Sequence, residues 1–197
     1  MKSMIFGILL LLALPSALQA QTPFYKGKGI KNVVGSPAGS NYDMYSRLTA
    51  AYVGKYVAGN PEAVVQNMVG AGSMVAANYI YRVAAPDGLT IGSILPGLYF
   101  DQLVGRSEVQ FDYAKFSWIG STDRSNNLVI VRADSPYKSI RDVRGAAQAP
   151  KCAATGTGSV AYQIPRLLEK TIGAKFNIVT GYPGGPDMDL AVERGEV

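Results

Sequence analysis

The feature that most constrains the fold is a strand end that passes through a loop of small residues directly into a helix. Val33 and Val34 are apolar and β-branched, which is typical of a buried strand. Residues 35–40 are only glycine, serine, proline and alanine, and an amphipathic run follows as far as Val57. This pattern predicts a βα unit, in which a strand is followed at once by a helix.

The start of this helix is suited to an anion. Ser40 or Asn41 can cap it. Asp43 lies in the first turn, where the helix dipole stabilises a negative charge. Backbone N–H groups of the loop would point into open space and could bind a carboxylate or a phosphate. An ordinary βα connection is the alternative that this loop alone leaves open. One side of the predicted helix is apolar, through four residues at helical spacing: Tyr45, Leu48, Tyr52 and Tyr56.

The strand–helix alternation continues along the chain. The first part predicts strands at 63–68 and 89–94 and helices at 74–83 and 99–104. The second part predicts a clear buried strand at 128–131, further strands at 151–154 and 176–180, and helices at 140–147, after 155–159, and at 187–194. Strands alternating with helices at this spacing predict mostly parallel sheets covered on both faces. The polar residues 121–127 are the candidate crossing between a first α/β domain at 21–122 and a second at 123–197.

Residues 1–20 have the pattern of a signal peptide. Lys2 supplies a positive charge, residues 5–14 are almost wholly apolar, and small residues up to Ala20 offer a cleavage site. The apolar run is too short to span a membrane. The mature protein is therefore expected to be exported, to the periplasm if the source is a bacterium.

Composition excludes several kinds of chemistry. Histidine is absent, which removes the commonest general base and the commonest metal ligand. No carboxylate cluster replaces it, so we expect no metal, no cofactor and no catalytic residue. Cys152 is the only cysteine and lies in an apolar run, as a small buried hydrophobe would. The 19 basic residues against 14 acidic ones form no basic run, so no nucleic-acid partner is expected.

Two patterns point toward an enzyme, and both lack a required part. Residues 156–161 fit G-x-G-x-x-A between a predicted strand and helix, as in dinucleotide-binding proteins. The acidic residue expected about twenty positions later to hold the ribose is missing, because 176–180 contains no carboxylate. Ser159 does not fit G-x-S-x-G, and no histidine is present to activate it. A dinucleotide enzyme is therefore a distant alternative.

Four short motifs together resemble a known family. Its Pro-Gly-Gly loop with an aspartate three residues later is similar to residues 37–43, and its Glu-Asn-x-x-Gly-Ala-Gly turn is similar to 66–72. Its Pro-Asp-Gly-Tyr-Thr and Tyr-x-Gly-Gly motifs are similar to 86–90 and 182–185. In this order and spacing they resemble the substrate-binding receptors of tripartite tricarboxylate transporters, the Bug family. The resemblance runs from about residue 27 to residue 197.

The resemblance implies a two-domain, periplasmic-binding-protein-like α/β fold that closes on a small carboxylate. Mostly parallel sheets flanked by helices are expected, with the second domain incomplete, because family members continue well past residue 197. In the family, one loop from each domain grips the ligand, partly through backbone amides. Carried over, the ligand-binding residues are Ser36, Pro37, Ala38, Gly39, Ser40, Asn41, Thr155, Gly156, Thr157, Gly158 and Ser159, and Tyr182 is a further candidate that could line the cleft. Two departures are Ala38, where the family usually has glycine, and Ser36, where an aromatic residue is common.

The function implied is that of a non-enzymatic receptor. It would capture a small organic carboxylate and deliver it to the membrane subunits of a tripartite tricarboxylate-type transporter. The alternative is a periplasmic ligand-sensing input protein for a membrane sensor kinase. The sequence leaves open whether the ligand is citrate-like, a dicarboxylate, an aromatic acid or an amino acid.

Overall fold

The computed structural model describes residues 22–122, 124 and 126–197. The predicted signal peptide at 1–20 lies outside the described residues, as do residues 123 and 125 of the predicted crossing. The described strands are β1 (Gly29–Val34), β2 (Glu62–Asn67), β3 (Thr90–Ser93), β4 (Lys151–Ala154) and β5 (Asn177–Thr180).

Helices follow the strands as the alternation predicts. They are α1 (Asn41–Tyr56), α2 (Met74–Arg82), α3 (Leu98–Leu103), α4 (Ile140–Arg144), α5 (Val160–Ile172) and α6 (Gly185–Glu193), with a 3-10 helix at Tyr113–Lys115. Over the residues described, no helix has both the length and the hydropathy needed to cross a bilayer.

Both sheets are parallel. The first has the order β2-β1-β3, with Asn32 of the central strand opposite Val65 and Ile91. The second pairs β4 with β5 and sets Cys152 opposite Ile178. This confirms the prediction of an α/β protein with parallel sheets flanked by helices. The domain boundary at 122/123 remains a prediction.

Each sheet has its own apolar core. In the first part of the chain, α2, α3 and the segment after them contribute buried residues that pack together: Met74, Ala77, Leu98 and Phe111. In the second part, Val143 of α4 packs with Ala174 and Phe176, and the α5 residues Leu168 and Ile172 cover this cluster.

The helix α1 packs on the first sheet through small and polar residues. Asp43 and Ser46 are buried, and Gly54 lies so close to the Pro61 carbonyl oxygen that a Cβ on Gly54 would clash. The apolar side noted in the sequence faces outward instead, with large exposed side chains: Tyr45, Leu48, Tyr52 and Tyr56. A helix that approaches a sheet this closely has no room for large side chains in the contact, so the bulky residues lie on its other side.

The prediction of a buried strand at 128–131 is wrong. These residues form no strand, and their exposed fractions range from 50% for Val131 to 83% for Leu128. A strand needs a hydrogen-bonded neighbour, and among the described residues β4 pairs only with β5. The segment instead lines a cavity of about 670 Å³ beside β4 and α5. The apolar composition of this segment correctly indicated its hydrophobic character. It did not show whether a neighbouring strand was present to pair with it.

Candidate functional site

A cleft of about 440 Å³ lies where the carboxyl ends of both sheets meet. Its walls are the segments that follow β1, β2, β4 and β5, which belong to both parts of the chain. In parallel α/β sheets, ligands bind in crevices beyond the carboxyl ends of the strands. This cleft is therefore the candidate site.

Three helices direct their amino-terminal ends at the cleft. Residues 40–42 at the start of α1, 159–161 at the start of α5, and 184–186 at the start of α6 all line it. The turn 70–72 before α2 lines it as well. Helix amino termini carry partial positive charge and free N–H groups, which attract anions. Among the described residues, no lysine or arginine lines the cleft, so the groups there that attract an anion are those of the backbone.

The structure brings many of the predicted binding residues into this cleft. The predicted residues that line it come from both loops and from the turn after β5: Ser36, Pro37, Ser40, Asn41, Thr155, Ser159 and Tyr182. The predicted residues that do not line it lie at the loop tips: Ala38, Gly39, Gly156, Thr157 and Gly158. The ligand contacts of all twelve remain a prediction.

Gly156 and Gly158 have a packing role. A Cβ on Gly156 would lie 2.9 Å from the Gly72 nitrogen, and one on Gly158 would lie 2.8 Å from the Gly72 oxygen. These glycines let the β4–α5 loop touch the turn before α2, backbone against backbone. This contact gives the two glycines a structural role that does not involve a dinucleotide.

Further contacts join the two parts of the chain beside this glycine contact. Gln163 Nε2 donates to the Gly97 oxygen at 2.6 Å and to the Thr157 oxygen at 3.1 Å. A Cβ on Gly184 would lie 2.8 Å from Pro37 Cγ, so the turn after β5 also closely approaches the β1–α1 loop. The cleft is therefore bounded by packed backbone on more than one side.

Asp43 holds the β1–α1 loop in place. Its Oδ2 accepts hydrogen bonds from Gly39 N at 2.8 Å and Arg47 Nε at 2.9 Å, and its Oδ1 accepts one from Asn67 Nδ2 at 2.8 Å. The Arg47 hydrogen bond, with those from Gly39 and Asn67, lowers the pKa of Asp43 to about 2, against the opposing effect of burial. Asp43 does not line the cleft, so it orders the loop from behind.

The expectation that loop N–H groups point at a ligand is wrong for two residues. Gly39 N donates to Asp43, and Ser40 N donates to the Pro37 oxygen at 3.2 Å. A glycine is needed at position 39 for a different reason, its φ of +81°. The loop thus uses these donors to fix its own shape.

Asn67 is a positioning residue that the site prediction missed. Besides the bond to Asp43, its Nδ2 donates to the Ser36 oxygen at 2.9 Å, and its Oδ1 accepts from Arg47 Nη2 at 3.2 Å. A signal was present in the sequence, because Asn67 belongs to the second family-like motif. The motif was interpreted only as a turn, so no hydrogen-bonding role was assigned to the side-chain amide of Asn67.

In the β4–α5 loop, the free donor is Thr155. Its Oγ1 is buried and has no hydrogen-bond partner among the described residues, and Thr155 lines the cleft. The Ser159 hydroxyl also lies here, but it donates to the Gly156 oxygen at 2.7 Å and so already has an acceptor. A buried hydroxyl without a partner is costly, so Thr155 is the group best placed to donate to a ligand.

Other cleft residues were not among the predicted ligand contacts. They come from the end of β1, from α1, from the turns after β2 and β5, from the β3–α3 connection, and from α5 and α6: Gly35, Tyr42, residues 69–72, Leu95, Val160, Ala161, Gly181, residues 183–186, Met188 and Asp189. The rule that carboxyl ends of parallel strands meet at one edge could have found both turns. The α6 residues could be placed only once the second sheet was known.

Two other chemically notable residues lie outside the cleft. Asp101 of α3 is 3% exposed, and burial raises the pKa of its carboxyl although Arg106 Nε lies 3.8 Å from Oδ1. Burial also raises the pKa of the Cys152 thiol to about 11, which suits a packing role. Among the described residues, no group of histidine, cysteine and carboxylate side chains has the arrangement of a metal site.

Two parallel sheets with a cleft between their carboxyl ends, lined by helix amino termini, are the architecture of the two-lobed periplasmic-binding-protein fold. The match to a family is specific. The chain belongs to the tripartite tricarboxylate transporter family receptors, whose family model matches residues 47–197. This confirms the resemblance noted in the sequence. The family consists of substrate-binding receptors, which agrees with the expectation that the chain is not an enzyme.

Solved structures of similar proteins support the same fold. An R. palustris protein solved with adipate is 25% identical, with a TM-score of 0.64, and the match covers 86% of this chain and 57% of that one. The periplasmic binding protein BugD is 23% identical, with a TM-score of 0.60 and coverage of 86% and 56%. A ligand-free solute-binding protein from Polaromonas is 22% identical, with a TM-score of 0.51 and coverage of 86% and 57%. The chain therefore spans little more than half the length of these relatives. No curated protein sequence matches it significantly.

Proposed function

We propose that this chain acts in a periplasmic receptor that captures a small organic carboxylate in the cleft and delivers it to the membrane subunits of a tripartite tricarboxylate-type transporter. The observation that carries the proposal is the convergence on one cleft of three helix amino termini and of the Thr155 hydroxyl, which has no partner among the described residues; none of the described residues that line the cleft is cationic. The relative solved with adipate supports a carboxylate as the ligand class.

Energetics explain why several loops are required. A helix amino terminus favours an anion by about 0.3–1 kcal/mol when exposed and up to about 2 kcal/mol when partly buried. Micromolar binding needs about 8 kcal/mol. One loop cannot supply this free energy, whereas several helix ends and charge-assisted hydrogen bonds in a drier cleft can.

The first experiment is a thermal-shift screen of organic acids, followed by calorimetry on those that raise the melting temperature. The decisive variant is Thr155→Val. It removes a hydroxyl donor to the carboxylate, so affinity should fall about tenfold or more, since hydrogen bonds to charged groups contribute about 1.5–3 kcal/mol. The unliganded variant should be no less stable than the wild type, because the lost hydroxyl has no partner among the described residues.

The matched control is Thr171→Val, on the exposed side of α5, where the hydroxyl donates to the Leu167 oxygen. It should leave affinity unchanged. Failure of every organic acid to bind, or equal affinity of both variants for the acid, would contradict the proposal. Delivery to a transporter is tested by uptake of the identified acid, which should be lost when the gene is deleted.

A further inference from the structure

We propose that Asp189 makes the receptor select carboxylates that carry a positively charged nitrogen over dicarboxylates. This inference rests on the proposed function and narrows its ligand class. The ligand's carboxylate would lie at the helix amino termini, and its ammonium group would lie against the Asp189 carboxylate.

The charge distribution of the cleft carries the inference. Among the residues that line it, Asp189 is the one whose side chain is charged at neutral pH. The carboxylate is exposed, and none of the ion pairs or hydrogen bonds found among the described residues involves it. It lies with Met188 on the wall that separates this cleft from the cavity beside residues 128–131.

Other carboxylates close to the cleft differ from Asp189 because they either lie near an arginine or do not line the cleft. Asp43 is paired with Arg47, and Asp101 lies 3.8 Å from Arg106, both behind the cleft wall. Asp187 lies in the first turn of α6, where it suits the helix dipole, and does not line the cleft. The helix dipole therefore accounts for Asp187, whereas Asp189 has no ion-pair or hydrogen-bond partner among the described residues.

An uncompensated carboxylate in a cleft without cations discriminates between ligands by sign. A second carboxylate on the ligand is repelled, whereas an ammonium group at the same position is attracted. Because Asp189 is exposed, its interaction with a ligand ammonium group should be as strong as a surface ion pair. Such a pair corresponds to about a fivefold difference in affinity between the amino acid and the diacid. Salt should weaken the preference, since exposed charges are screened.

The test uses matched pairs that differ only in the terminal group. They are succinate with 4-aminobutanoate, adipate with 6-aminohexanoate, and terephthalate with 4-(aminomethyl)benzoate. Calorimetry at low ionic strength should show that the wild-type protein binds the amino acid of at least one pair about fivefold more tightly than its diacid. Asp189→Asn should remove or reverse this preference, while the control Asp187→Asn should retain it.

The outcomes separate this inference from the proposed function. Diacid binding as tight as amino-acid binding in the wild type, or a preference that survives in Asp189→Asn, overturns the role of Asp189 and leaves the carboxylate receptor standing. Absence of binding by every acid in the three pairs overturns the inference. If the wider screen of organic acids also finds no ligand, the proposed function falls with it.

Discussion

At the scale of single residues, the β1–α1 loop depends on a small polar network behind it. Asn67 joins the Ser36 carbonyl to Asp43, and Asp43 in turn joins Gly39 to Arg47. None of the groups Asp43, Arg47 and Asn67 lines the cleft. Their role is to hold the loop so that the amino terminus of α1 faces the ligand.

Asn67→Ala should weaken both the fold and the site. The substitution leaves the Ser36 oxygen and Asp43 Oδ1 without their donor, which should lower the free energy of unfolding by about 1–3 kcal/mol. Ligand affinity should fall because the loop is less ordered. Denaturant unfolding and calorimetry measure the two effects. Gln66→Ala, at the neighbouring exposed position, is the control and should change neither; an Asn67→Ala protein of wild-type stability would refute the network.

Asp43 should give stability a defined pH dependence. Its pKa is lowered from 3.8 to about 2 in the folded state, so the folded protein holds the deprotonated form more strongly than the unfolded chain does. The stabilisation is therefore complete above pH 3.8 and is lost as the pH falls toward 2. It amounts to at most roughly 2 kcal/mol, because half-exposed Arg47 is screened by solvent.

The contribution of the Asp43 charge is tested by measuring the free energy of unfolding of the wild type and of Asp43→Asn across this pH range. The wild type should be the more stable at neutral pH, and the difference should shrink below pH 3.8. A difference that stays constant down to pH 2 would mean that the Asp43 charge does not contribute.

At the scale of secondary-structure elements, the cleft depends on close backbone contacts between loops. Gly156 and Gly158 touch the turn before α2 at Gly72, and Gly97 lies against the Gly158 oxygen and the Gln163 side chain. These contacts set the spacing between the first sheet and α5. Packing between the elements therefore accounts for these small residues.

Gly158→Ala tests this contact. The added Cβ would lie 2.8 Å from the Gly72 oxygen and 2.9 Å from Leu98 Cδ2, so the loops must separate. We expect a lower melting temperature and at least tenfold weaker ligand binding, since overpacking costs about 1–3 kcal/mol. Gly145→Ala, where nothing lies within 4 Å of the added Cβ, is the control. Normal stability and affinity in Gly158→Ala would contradict the packing role.

Some of the secondary-structure elements could be predicted from the sequence and others could not. Local patterns predicted the loops after β1 and β4 and the helices that follow them, because helix caps and strand ends depend on residues that are adjacent in sequence. The exposed side of α1 and the unpaired segment at 128–131 were missed because apolar character does not reveal which surface an element will meet. Asn67 was missed as a positioning residue because its partners Ser36 and Asp43 are distant in sequence, and Asp189 was missed as a cleft-lining residue because the other walls of the cleft are distant in sequence.

At the scale of the whole molecule, two parallel sheets bring their carboxyl ends to one cleft, where the amino termini of three helices carry partial positive charge. A receptor built in this way can bind an anion without a cationic side chain in contact with it. In our proposal, the side chains in the cleft select among acids, with Thr155 as a donor and Asp189 as the charge that distinguishes ligands. Family membership agrees with a receptor fold of this kind.

A crystal structure of the chain with an acid found by the screen tests the central claim most directly. We predict one carboxylate oxygen within about 2.5–3.0 Å of Thr155 Oγ1, with the carboxylate facing the amino termini of α1 and α5. An acid bound elsewhere, such as the cavity beside residues 128–131, or a carboxylate turned away from these helix ends, would contradict the account.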